Sequence, residues 1–133
     1  MQIDSSTTPL YVGIDIGKNV HCYGGYAGGE LKLISPRQEV RNNQPGYETF
    51  RVWLQTQVTS QCYAPILVGL EPTGIYHEAW AYALQQDFGD QIALRFLNPY
   101  QAKQKRRQLQ NGRKKKTDPI DVEAIAYCVV VKT

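Results

Sequence analysis

Hydrophobic residues in this chain fall in short runs whose period changes along its length. Residues 10–16, LYVGIDI, are nearly continuous in apolar character and read as a buried strand, with Gly17 opening a turn. His21 to Ala27 and Leu31 to Ile34 read as two further strands joined across Gly28-Gly29, a hairpin signal. From 45 to 59 the period becomes helical: Tyr47, Phe50, Trp53 or Leu54, and Val58 recur on one face, and Pro45 stands near the start. PILVGLE at 65–71 is a compact apolar run ending in an acid, the pattern of a strand covered on both faces. Pro72, Thr73 and Gly74 break it. A helix is predicted from about Tyr76 to Gln86, with Ala79, Trp80, Ala83 and Leu84 inward. QIALRFL at 91–97 is another strand, closed by Asn98-Pro99. A last helix starts near Thr117-Asp118-Pro119, where a proline lacking its N–H is well tolerated, and runs toward Val131.

The order is three strands, helix, strand, helix, strand, helix. It predicts one α/β domain with a mixed five-stranded sheet: three antiparallel strands, then alternating helices and strands. The 133 residues suit one domain over 10–133, preceded by a disordered lead at 1–9. No apolar stretch approaches the roughly 20 residues that cross a bilayer, and the first residues lack the pattern of a secretory signal. Cys22, Cys62 and Cys128 are odd in number and form no CxxC pair, which argues against a disulfide framework or zinc knuckle and for a reducing cytoplasm.

The net charge of +3 conceals a segregation. Eight of the 15 basic residues, Lys103, Lys105, Arg106, Arg107, Arg113, Lys114, Lys115 and Lys116, lie within residues 103–116, which hold no acid. The rest of the chain carries seven basic residues against 12 acidic ones. An acidic body with one intensely basic segment suits a polyanionic partner, and a solvated loop is the plainer reading.

Four acids stand where an α/β sheet offers a site. Asp15 and Glu71 end two predicted strands, and such sheets bind ligands outside the carboxyl ends of their strands. Asp118 and Asp121 are three apart, which places them on one face of a helix. Converging carboxylates need neutralising cations, and an all-oxygen set suits Mg²⁺ or Mn²⁺. Two such ions support phosphodiester chemistry. Each acid also has a structural reading. Asp118 and Asp121 form a capping-box-like pair, and Asp15 before Gly17 is ordinary turn chemistry. Glu71, closing an apolar strand, requires a partner. His21 and His77 lack metal-ligand spacing and read as structural or exposed.

VGIDIGK at 12–18, GLEPTG at 69–74, NPYQAK at 98–103 and KKKTDPIDVEAIA at 114–126 occur in an order and spacing that resemble a known family. It is the amino-terminal DEDD domain of bacterial insertion-sequence transposases related to the Piv DNA invertase. The combination of GLE-x-TG with K-T-D-x-x-D carries most of the resemblance. The likeness implies a RuvC-like, ribonuclease H fold over about residues 10–130. It also implies Mg²⁺ bound through Asp15, Glu71, Asp118 and Asp121 and action on DNA strands during transposition. Implied partners are the element ends and target DNA, a structured RNA, and further copies in the full-length protein. The implied place is the bacterial cytoplasm, at the nucleoid. Two departures stand out. Val122 occupies a position where the family usually has alanine. The family's carboxy-terminal domain with its serine nucleophile is expected to be absent, so Ser5, Ser6, Ser35 and Ser60 receive no catalytic role.

Two rival classes remain. GIDIGKN also resembles the first phosphate loop of actin-like and sugar-kinase-like nucleotide-binding domains, in which Lys18 and backbone N–H groups would hold phosphate. That rival needs a second glycine-rich loop, and no convincing one is present. The other rival is a non-catalytic nucleic-acid-binding module that uses residues 103–116 alone.

Overall fold

A computed structural model describes residues 7–97 together with Arg107, Val122, Ile125 and Ala126. Strand β1 (Thr8–Asp15) is central. It pairs antiparallel with β2 (Val20–Ala27) on one side and parallel with β5 (Tyr63–Leu70) on the other. Beyond β5 lies β6 (Ala93–Phe96), also parallel. The outer side of β2 carries two short strands, β3 (Lys32–Leu33) and β4 (Gln38–Arg41), both antiparallel to it. Helix α1 (Gln44–Ser60) joins β4 to β5, and α2 (Glu78–Phe88) joins β5 to β6 through a 3₁₀ turn at Gly89–Gln91. The result is a mixed α/β sheet compatible with the ribonuclease H-like fold.

Six strands stand where five were expected, and the reason is local. Tyr26 pairs with Leu33 and Tyr23 with Gln38, so Gly24 and Gly25 of β2 face the four residues 34–37. Pro36 has no N–H to give the ladder, and the chain bulges there before pairing resumes. One edge strand is thereby split in two. The β2–β3 turn spans Gly28 to Leu31, with the Leu31 N–H donating to the Gly28 carbonyl at 3.1 Å and both residues at positive φ. The strand expected from Leu31 therefore starts one residue later. At the other end, β1 begins at Thr8, two residues ahead of the expected start.

Each face of the sheet buries its own cluster. Leu10, Val12 and Ile14 of β1, with Ile66, Val68 and Leu70 of β5, lie beneath α1 and α2. There Phe50 stacks on Trp80 at 5.3 Å and meets Tyr23 edge-on at 4.7 Å. Such ring pairs add about 1 kcal/mol each to the area they bury. The inward residues of α2 are Trp80, Ala81, Leu84 and Phe88; Ala79 is exposed, because the helix starts at Glu78 and residues 74–77 are turn. On the opposite face Tyr11, Cys22, Tyr26, Leu67 and Leu97 pack with Val122, Ile125 and Ala126. Those last three have helical backbone and are fully buried, as the predicted final helix requires.

Candidate functional site

Along β1 the residues alternate between faces: Leu10, Val12 and Ile14 meet α1 and α2, while Tyr11, Gly13 and Asp15 belong to the other side. In β5 the alternation is the same, with Leu67 and Gly69 opposite Ile66, Val68 and Leu70. The two strands run parallel with Gly13 beside Gly69 and Ile14 beside Leu70. The ladder ends at that pair, and Asp15 and Glu71 are the next residues of the two chains. Both acids are half-buried at the carboxyl edge of the central strand pair, on the face that holds Val122, Ile125 and Ala126. Asp15 is thus the last residue of β1, and Glu71 comes directly after the last residue of β5.

The chain is held on both sides of this edge. The Gly17 N–H, two residues after Asp15, donates to Nδ1 of His21 at 3.0 Å. Asn42 donates from its side chain to the Lys18 carbonyl at 3.1 Å, and from its backbone to the Asn19 carbonyl at 2.8 Å. Gly17 is required here, because a Cβ would run into the Val20 carbonyl oxygen. After β5 the Thr73 hydroxyl donates to the Glu71 carbonyl at 3.2 Å, and the Leu97 N–H donates to the Leu70 carbonyl at 2.9 Å.

His21 is the buried polar residue of the core. It meets Trp80 edge-on at 4.7 Å, and burial holds its pKa below the ordinary imidazole value, outweighing the nearby Asn42 side chain. Neutral imidazole accepts at one nitrogen and carries its proton on the other, so the bond from Gly17 puts the proton on Nε2. His21 is structural, as expected. Asn42 was not singled out from the sequence; its polar neighbours Asn43 and Gln44 offered no signal separating it from helix-start chemistry. The geometry also weakens the phosphate-loop rival, since the Gly17 N–H is already spent on His21.

The remaining predicted residues divide. Arg107 is helical and exposed. Lys103, Lys105, Arg106, Arg113, Lys114, Lys115 and Lys116 lie outside the described residues, and so do Asp118 and Asp121. Val122, bonded directly to Asp121, is fully buried over the sheet. Among the described residues no group of three or more His, Cys, Asp and Glu side chains gathers to hold a metal. The carboxylates of Asp15 and Glu71 are of the hard-oxygen kind that suits Mg²⁺ or Mn²⁺.

Residues 12–132 match the model of the DEDD_Tnp_IS110 family, described as a transposase. The chain belongs to this transposase family. The matched span starts three residues before Asp15 and covers every acid of the predicted set. No curated protein matches this transposase chain. Among its described residues, no helix is long and apolar enough to cross a membrane.

Proposed function

We propose that the chain is the metal-dependent catalytic domain of a transposase, acting on DNA strands at the ends of an insertion sequence. Asp15, Glu71, Asp118 and Asp121 bind two Mg²⁺ or Mn²⁺ ions. The observation that supports this reading is the parallel register of β1 and β5, in which Asp15 closes one strand and Glu71 follows the last residue of the other. Carboxylates gathered at one site repel one another unless cations are shared between them. When bound, such ions stabilise the attacking and leaving oxygens of a phosphodiester displacement.

The protein's own part is positional. Asp15 and Glu71 project from paired strands whose backbone is fixed on both sides. They hold their oxygens at one edge without the entropy cost that loop-borne ligands carry. Asp118 and Asp121, which precede the buried Val122 in the sequence, complete the set. Residues 103–116 contact backbone phosphates beside the acids, with Arg107 the exposed described member. The setting is the bacterial cytoplasm, at the nucleoid. A structured RNA is a second polyanion that this segment would accept, and competition between DNA and RNA for the full chain separates the two.

Calorimetric titration with Mn²⁺ tests the site. Asp15→Asn and Glu71→Gln preserve shape and remove charge, and each is expected to weaken binding by about tenfold or more, since a ligand's charge is lost. Equal Mn²⁺ affinity in both variants and the parent chain would falsify the four-carboxylate site and leave a nucleic-acid-binding module.

A further inference from the structure

Three strands contribute a glycine at the same level of the sheet. Gly13 of β1 pairs with Gly24 of β2 on one side and with Gly69 of β5 on the other. Gly13 lies on the same face as Asp15, two residues before it, a distance of about 7 Å along a strand. The helical residues Val122 and Ala126 sit directly on this row. A Cβ on Gly13 would lie 2.6 Å from the Val122 carbonyl oxygen and 3.1 Å from the Ala126 nitrogen. A Cβ on Gly24 would lie 3.1 Å from Cγ1 of Val122 and 2.9 Å from Cγ of Arg37.

These contacts differ in kind. Over Gly13 the obstacle is helix backbone, which cannot turn aside. Over Gly24 it is the ends of two side chains. Val122 stands where the resembling family usually has alanine, and the added methyls of this residue rest against Gly24. The bare glycine backbone lets the helix descend onto the sheet, and Gly24 accommodates the larger side chain.

We infer that Gly13 and Gly24 are positioning residues for the metal site: together they set the height of Val122, the residue that follows Asp121 in the sequence, above the sheet face to which Asp15 belongs. The inference rests on the four-carboxylate reading. Its physical basis is that Mg²⁺ and Mn²⁺ sites demand oxygen ligands within a few tenths of an ångström of their ideal distance. A methyl group under Val122 lifts the backbone by more than that tolerance. Loss of the groups that hold a metal's ligands in place costs about ten- to a hundredfold in metal affinity.

The test compares Mn²⁺ affinity and thermal stability in the full chain across four variants. Gly13→Ala is expected to remain folded by circular dichroism and to bind Mn²⁺ at least about tenfold more weakly. Gly24→Ala is expected to weaken binding, and Val122→Ala in the same chain to recover part of it, because the contact with Val122 is relieved while that with Arg37 stays. Gly25→Ala is the control. Its Cβ would press on Trp53 of α1, 2.8 Å away, on the opposite face. It is expected to lower stability while leaving Mn²⁺ affinity within about twofold of the parent, since it touches no part of the seat.

A folded Gly13→Ala chain with parental Mn²⁺ affinity overturns the inference. So does a Gly25→Ala chain that loses as much affinity as Gly13→Ala, because a general loss of packing then accounts for both. If Gly13→Ala does not fold, Gly24→Ala decides: a folded Gly24→Ala chain with parental Mn²⁺ affinity overturns the inference. Asp15→Asn separates the two levels. If the parent chain shows no Mn²⁺ binding that Asp15→Asn removes, the metal reading falls and the inference with it. If that control holds while Gly13→Ala binds normally, the inference alone falls.

Discussion

His21 shows how one side chain serves the edge that bears Asp15. Its Nδ1 accepts the Gly17 N–H, its ring packs on Trp80, and Nε2 is buried without a hydrogen-bond partner. Charging it would cost the Gly17 bond and place a cation in the core. Burial accordingly lowers its pKa in the folded state from the ordinary 6.5. The unfolded chain then binds a proton that the folded chain refuses. The stability tied to His21 is therefore fully present above pH 6.5 and is lost as pH falls through that value toward the lower folded pKa. Urea midpoints measured from pH 7.5 down to about 5 should decline in the parent chain and decline less in His21→Asn, which keeps an acceptor for Gly17 without titrating. Parallel declines would show that other groups govern the acid limb. The sequence marked His21 as structural, since it lacked ligand spacing. Its burial depends on the β1–β2 register and on the packing of α2, neither of which is a local property.

At the scale of elements, α1 was the most legible. Its apolar period and Pro45 place it within a residue of its observed start, and Asn43 caps it by accepting the Gly46 N–H at 2.8 Å. Removing that cap with Asn43→Ala should cost about 1 kcal/mol. Gly46→Ala should cost more, about 3 kcal/mol, because a Cβ at Gly46 would collide with the Arg41 carbonyl oxygen, where the first turn lies against β4. Chemical denaturation of both variants checks the order, and a Gly46→Ala chain as stable as Asn43→Ala would show that the helix shifts freely on β4. The β3–β4 edge was the least legible element. Gln38–Arg41 has one partly buried position among exposed ones, so it carries no apolar alternation of its own. It is a strand because β2 offers it a free ladder, and Pro36 decides where that ladder is interrupted.

At the scale of the whole molecule, charge segregation and site geometry meet. The basic segment at 103–116 stands directly before Asp118 and Asp121, so the proposed phosphate contacts and these two acids lie close in sequence. Neutralising Lys114, Lys115 and Lys116 should weaken DNA binding and lower the slope of log affinity against log salt by about one unit for each phosphate that is no longer neutralised. Binding isotherms across a salt series read this directly, and an unchanged slope removes those lysines from the interface. By itself the sequence determined the class of fold, the order of its main elements and the transposase family, because apolar period, turn residues and motif order are local signals. It also marked Asp15 and Glu71, since an acid ending an apolar strand is visible in one dimension. Only the tertiary structure decided that the strands they close are neighbours, because strand order and register arise from long-range pairing: β1 lies beside β5, Val12 opposite Val68. Only the structure, too, decided the meaning of Gly13 and Gly24. In the sequence they are weak points inside strands; in the fold they are the bare surface on which Val122 comes to rest.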